Sequence, residues 1–525
     1  MKVQFQMGVL VLLSATLAQA EGGAVPGARV LQVGTHHGRK GAFATIQAAV
    51  NAARPGDWVL IGEGNYREHG SPKDGVLITR PGVHLRGMSR NDVVIDGTRA
   101  GFAPCSADPA AQDFGPGGDG RNGIEVLKVD GVSIENLTAC NFLGGASGSN
   151  GNQIFWNGGD GGGQIGMGSY HGAFLTASST WYDSAIPNAG QYGIFVSNAR
   201  GPGVIEHSYA SNMADSSFYV GACADCNAVL HGVHAQNSAL GYSGANAGGH
   251  LVIEDSEWDL NRVGILPSSL ANDDPPSPQD GACPDRPDRS CTLIQRNHVH
   301  HNNNPNTPTF GLPGSAPIGT GIDLSGGSNN TVRGNLVTNN GAWGILVNDF
   351  PDSSLPTVPA WCQGGKPFFN PPPPFDLIFG PVVPCYFNAY GNQIVGNVFA
   401  GNGSFGNPTN ADLGNAALGV PDGNCFLGNV GSKSGQPTSA PANLQKKSVA
   451  GTCDTAWNPN PAELAPLFMD VICAAFGPAS GACLPGPGYP QPTQVRLLPI
   501  PREPGMRDPC EDVPPNSWCS DPERR

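Results

Sequence analysis

Charge is scarce in this chain, and what there is leans one way. Only 13% of the 525 residues are Asp, Glu, Lys or Arg, and the formal net charge is −14. The clustered Lys and Arg that phosphates demand are missing, which argues against nucleic acid and against anionic membrane surfaces as partners. Long apolar runs are missing as well. Beyond the first twenty residues no stretch is long and apolar enough to span a bilayer, so no membrane partner is expected. What the chain has instead is 75 Gly and 48 Pro. That composition points to a turn-rich β protein rather than to helices.

The first twenty residues read as an export signal: Lys2, an apolar stretch from Gly8 to Leu17, and the small-x-small site Ala18-Gln19-Ala20. No Cys follows that site to take a lipid. The 14 Cys fit export, because disulfides persist mainly in oxidising compartments. Sequence neighbours suggest the pairs Cys105–Cys140, Cys223–Cys226, Cys283–Cys291, Cys362–Cys385, Cys425–Cys453, Cys473–Cys483 and Cys510–Cys519, although spacing alone does not set connectivity. Cys223-Ala-Asp-Cys226 also has the spacing of zinc and redox motifs. With no second such motif and no βαβ context, a local staple is the better expectation. The protein is expected to be secreted and monomeric.

Repeats decide the fold. Val204-Ile-Glu-His-Ser-Tyr, Val229-Leu-His-Gly-Val-His and Val252-Ile-Glu-Asp-Ser-Glu-Trp share one pattern with Leu293-Ile-Gln-Arg-Asn-His-Val, Thr331-Val-Arg-Gly-Asn-Leu-Val and Gln393-Ile-Val-Gly-Asn-Val-Phe. Ile205 to Leu230 spans 25 residues, and Leu230 to Ile253 spans 23. A second short strand precedes many copies, as in Gly193-Ile-Phe-Val, Gly321-Ile-Asp-Leu and Gly344-Ile-Leu-Val. A period of this length without helices is one coil of a β-solenoid, which buries its apolar residues only by stacking on its neighbours. Wider spacings, 41 residues from Ile253 to Ile294 and 62 from Val332 to Ile394, mark loop insertions.

The ends differ from the middle. Thr45-Ile-Gln-Ala-Ala-Val-Asn-Ala-Ala has helical spacing and predicts a short helix capping the open end of the core. The expected organisation is a signal at 1–20, a β-helix domain at 21–430 with its core near 40–430, and an irregular, disulfide-pinned tail at 431–525.

Thr45-Ile-Gln-Ala-Ala-Val through Pro55-Gly-Asp, then Gly64-Asn-Tyr-Arg-Glu and Val83-His-Leu-Arg-Gly, resembles the start of pectate-lyase-like parallel β-helix proteins. The resemblance, with the coils that follow, covers roughly residues 40–430. It implies an all-β, right-handed parallel β-helix, secretion, and action on acidic polysaccharides as lyases, hydrolases, esterases or C5-epimerases. The Asp-Pro-His-Asp of alginate epimerases is absent, as are the Asn-Thr-Asp and Gly-His-Gly of polygalacturonases, so no catalytic residue carries over.

Aligning the coils on Ile205, Leu230, Ile253, Ile294 and Val332 sets outward columns about 4.8 Å apart from coil to coil. One position on stand Glu206, His231, Glu254, Gln295 and Arg333; four on, Tyr209, His234, Glu257 and His298; six on, Gln236, Asp259 and His300. The candidate site is therefore a single face carrying Tyr209, His231, His234, Glu254, Glu257, Asp259 and His298, with His300 beside them. Tyr209 and His234 suit a proton-transfer pair for a lyase or C5-epimerase, with Arg333, Arg296 or a cation opposite a uronate. Glu257 and Asp259 suit the paired carboxylates of a glycoside hydrolase. The same columns suit Zn²⁺ or Ca²⁺, and the sequence does not choose a cofactor. Asn297, Asn335 and Asn397 recur at one position and read as a structural ladder. The leading expectation is an enzyme on extracellular polysaccharide containing uronic acid; the alternatives are a non-catalytic, adhesin-like β-helix that binds glycans or partners, and a hydrolase.

Overall fold

Each coil sends one residue to the same inward position, and these stack into a column. It runs Leu31, Val59, Leu85, Ile134, Gly172, Ile205, Leu230, Ile253, Ile294, Val332, Ile394 and Phe426, each paired in register with the next. The computed structural model describes residues 27–519, apart from 147, 149, 161–162, 185–188, 272–291, 353–356, 361, 363, 372–375, 377–378, 419–422, 433–434 and 448–460. The predicted export signal lies outside the described residues. So do Cys283, Cys291 and Cys453 and the two disulfides expected of them. The other five expected pairs are formed.

The coils build three parallel sheets of 12, 10 and 11 strands. In one coil the first sheet takes Gly203–Glu206, the second Tyr209–Ser211 and the third Ser216–Gly221. Stacking fully buries the inward Ile, Val and Leu, each worth about 1.5–3 kcal/mol against exposure. Gly172 breaks the column for a packing reason. A Cβ there would sit 2.8 Å from Ile205 and 2.9 Å from Trp156, whose indole fills the space. The predicted register from Ile205 to Val332 is the one formed.

One expectation needs correcting. The segment Val204-Ile-Glu-His-Ser-Tyr is not one strand but two, split by a corner. The corner residue in successive coils is His207, Gly232, Asp255, Arg296, Gly334 and Gly396, with φ between +48° and +64°. Such left-handed backbone turns the chain sharply in a two-residue connection. The column one position after Ile205 therefore lies on the first sheet, and the columns four and six after it lie on the second. The predicted single face is two faces meeting at an edge.

The connections on either side of the third sheet are long, and the insertions fall there. Residues 301–319 lead into it, and 269–291 and 349–392 lead away from it. At the N-terminal end the expected helix forms over Ile46–Ala52. The Thr45 hydroxyl accepts from Ala48 N–H, and the Glu68 carboxylate accepts from Ile46 and Gln47 N–H. Ile46, Ala49 and Val50 are buried against the first coil.

The tail after residue 431 is more ordered than expected. A strand at Ser439–Ala440 still pairs with the third sheet, and Pro461–Phe476 is a 16-residue helix packed on that sheet's outer face. From Tyr489 onward the chain runs back along the solenoid. It hydrogen-bonds Asn306, Asn237, Asn212, Asn91, Asn136, Arg86 and finally Gln32 in the first coil.

Candidate functional site

The seven predicted residues fall on the first two sheets. Tyr209 is 2% exposed, and its hydroxyl donates to Gln236 Oε1 at 3.1 Å. Burial raises its pKa to about 12. The C-terminal tail passes it, held to Asn212 at Leu498 and to Arg90 at Pro504. His234 Nε2 lies 2.8 Å from Asp259 Oδ1, and Gln236 donates to the other oxygen at 3.0 Å. Burial alone would lower the His234 pKa, but the Asp259 hydrogen bond and charge outweigh it and raise it. The Tyr209 and His234 rings do meet, edge to face at 5.4 Å.

The remaining four form two groups. His231 faces Glu254 and Asp255 at 3.7 and 3.6 Å, but Arg296 already holds both carboxylates at 2.6 and 2.7 Å. Glu257, His298 and His300 form the second group, with His300 Nε2 3.0 Å from Glu257 Oε1 and the two imidazoles stacked at 3.9 Å. Burial, then the His300 charge, lower the His298 pKa. A further ion-pair chain on the first sheet went unremarked in the sequence: Arg86, Glu135, His171 and Glu206. His171 bridges Glu135 and Glu206 at 3.1 and 3.2 Å. Burial would lower the His171 pKa, yet its two hydrogen bonds to carboxylates lift it to about 9. Glu135 is held down to about 2 against burial by His171 and Arg86.

The cleft is elsewhere, on the outer face of the third sheet. It encloses about 340 Å³, within the range of ligand sites. Its floor carries Tyr219, Ser243, Leu266 and Asp323 in neighbouring strands. Leu312 and Pro313 wall one side, Phe350 and Pro351 the other, and Phe468, Ile472 and Phe476 of the C-terminal helix roof it. A second hollow of about 380 Å³ continues it toward the N-terminal coils and shares Tyr192, Asp215, Leu312 and Pro313. Aromatic rings floor that extension: Phe195 stacks on Phe155 at 4.3 Å and on Tyr192 at 4.2 Å, and meets Tyr219 edge-on at 4.8 Å. None of the seven predicted residues lines either hollow.

Two carboxyl groups stand out in this cleft. Asp323 is fully buried, and among the described residues neither of its oxygens has a hydrogen-bond partner. Burial in that setting pushes its pKa to about 8, so it is a neutral acid at pH 7. Asp215 accepts from Tyr192 OH at 2.7 Å and from Ser216 Oγ at 2.6 Å. Burial raises it to about 6, against those two bonds, which leaves it mostly ionised at pH 7. A buried carboxyl with both oxygens unpaired calls for a partner that the described residues do not supply. The signal for this site was faint but present. Gly193-Ile-Phe-Val and Gly321-Ile-Asp-Leu put Phe195 and Asp323 at the same outward position, where a solvated sheet would carry ordinary polar residues.

The model of a family described as the right-handed β-helix region matches residues 171–354. The coil is thus a right-handed one. Among solved structures, the A-module of a mannuronan C-5 epimerase from Azotobacter vinelandii is similar at 15% identity, with 74% of this chain and 90% of that one covered and a TM-score of 0.42. An alginate lyase from Paenibacillus sp. is similar at 15% identity, covering 61% and 91%, with a TM-score of 0.36. A mannuronic acid specific family 6 polysaccharide lyase from human gut microbiota is similar at 13% identity, covering 78% of each chain, with a TM-score of 0.37. No curated protein matches.

Proposed function

We propose that this chain, a right-handed parallel β-helix protein of the pectate-lyase-like kind, binds an extracellular polysaccharide in the third-sheet cleft, with Asp323 as the acid on its floor. The observation that carries the proposal is the unpaired, fully buried Asp323 on the floor of an apolar and aromatic cleft. Asp323 and Asp215 are pushed to different pKa values, about 8 and about 6.

In a uronate lyase or C5-epimerase, removal of the proton beside the sugar carboxylate loads negative charge onto that carboxylate. A neutral Asp323 donates a hydrogen bond to it as the charge develops, and such donation is worth most in a site closed to water. Ionised Asp215, oriented by Tyr192 and Ser216, stands three strands from Asp323, about 14 Å across the sheet, and so meets a different sugar of a bound chain. Five disulfides fit an oxidising, extracellular setting. No described helix is long and apolar enough to cross a membrane.

The test is turnover of a panel of uronic-acid and neutral polysaccharides, followed by absorbance of unsaturated products, reducing ends and C5 inversion. Activity should fall as pH rises through about 8, where Asp323 gives up its proton. Asp323→Asn should lose roughly 100-fold or more while melting as a folded protein. Full activity in Asp323→Asn would remove the proposed acid. Binding of a polymer without turnover in any assay would leave a glycan-binding protein and sink the proton chemistry.

A further inference from the structure

Of the groups of metal-ligating side chains among the described residues, two are already spoken for. Cys105 and Cys140 beside Asp96 are joined to each other, and Arg296 occupies the carboxylates facing His231. The third group is open. Glu257 pairs directly with His298 across adjacent strands of the second sheet, and His300 stands two residues on, facing the same way. One oxygen of Glu257 and one nitrogen from each imidazole lie within 4.8 Å of one another.

We propose that Glu257, His298 and His300 form a zinc site on the outer face of the second sheet, separate from the cleft. Three features carry it. The ligand set is two imidazoles and one carboxylate, which suits Zn²⁺ and falls well short of the six to eight oxygens that Ca²⁺ takes. Zinc bonds of about 2.0–2.1 Å need ligand atoms roughly 3.4 Å apart in a tetrahedron. The 3.0 Å from His300 Nε2 to Glu257 Oε1 is close to that edge already, and His298 reaches it by turning its side chain. An ion bound at His300 Nε2 takes the place of any proton that nitrogen carries.

The surroundings fit the same assignment. His300 Nδ1, the nitrogen turned away from Glu257, lies 2.9 Å from His301 Nδ1, which fixes the ring as outer partners of ligating histidines do. Asp259 is taken by His234 and Gln236, so it does not compete for the ion. Glu257 is exposed, and water can complete the coordination. The site stands independently of the cleft, and its failure would leave the proposed activity untouched.

The experiment is calorimetric titration of the full, tag-free, chelator-stripped protein with ZnCl₂, with CaCl₂ in parallel, and Co²⁺ as a visible-absorption probe of tetrahedral ligation. One equivalent of Zn²⁺ is expected, with Ca²⁺ far weaker. His298→Ala, His300→Ala and Glu257→Gln should each weaken Zn²⁺ by about tenfold or more. His250→Ala, in an ion pair elsewhere on the coil, should leave it unchanged. Circular dichroism of the metal-free variants guards against unfolding. Absence of saturable Zn²⁺ binding, or equal affinity in a His298→Ala/His300→Ala double variant, would overturn the assignment. Preference for Ca²⁺ would overturn it equally.

Discussion

A carboxyl group buried with nothing to bond to is costly, and among the described residues Asp323 has no partner. Its protonation has a consequence for stability whose sign follows from linkage. The unfolded side chain loses its proton near 3.8, whereas the folded one keeps it to about 8. Between those values the folded state binds more protons, so stability falls as pH rises and levels off above about 8. Asp323→Asn removes this dependence. The variant should melt like the parent near pH 4 and above it at pH 8, by an amount on the order of a few kcal/mol. Parallel melting curves across that range would show that Asp323 is not the buried acid described. The residue's strand was plain in the sequence, because Gly321-Ile-Asp-Leu repeats the pattern of its neighbours. Its burial was not, since the loops and helix that cover it come from distant segments with no repeat of their own.

At the scale of the coil, hydrogen bonds between like side chains hold the turns. Asn335 Oδ1 accepts from both the backbone N–H and the side-chain amide of Asn297 at 2.9 and 3.0 Å. Asn335 in turn donates its amide to Ile294 O and to Asn397 Oδ1. Asn297, Asn335 and Asn397 thus form the ladder their spacing suggested, and Asn429 extends it. Asn335→Ala would leave the Asn297 backbone N–H buried without an acceptor, while its side-chain amide keeps Ile253 O and Gln295 O. The cost should be about 1–3 kcal/mol for the orphaned group, read as a lower melting temperature. An unchanged melting temperature would mean that water replaces the amide at no cost. Register was legible because inward Ile, Val and Leu recur once per coil and only one alignment buries them all. The corner was not legible. Its left-handed position holds His207, Gly232, Asp255, Arg296 and Gly334 in turn, five residues drawn from four types. Without that corner, Glu254 and Glu257 look like neighbours on one surface when they stand on two.

Seen as a whole, the molecule is a stack whose first coil is capped by the Ile46–Ala52 helix and whose length is strapped by its own tail. Trp518 packs with Trp58 and Met88, and Cys510–Cys519 closes a loop beside them. A chain shortened to end at Tyr489 should lose hydrogen-exchange protection in the coils around 84–98 and 203–236. The coils around 320–348, whose outer face the helix covers, should keep theirs. Equal protection in the full and shortened chains would show that the strap contributes nothing. An array that touches only its nearest neighbours opens from its ends, one unit at a time. Here Gln32, in the first coil, is bonded to Asn516, 484 positions away along the chain. Contacts of that span are slow to form, so the final locking step of folding comes late. They also change how the molecule yields to force. A pull on the N-terminal side cannot peel the first turn until the far end of the polypeptide lets go.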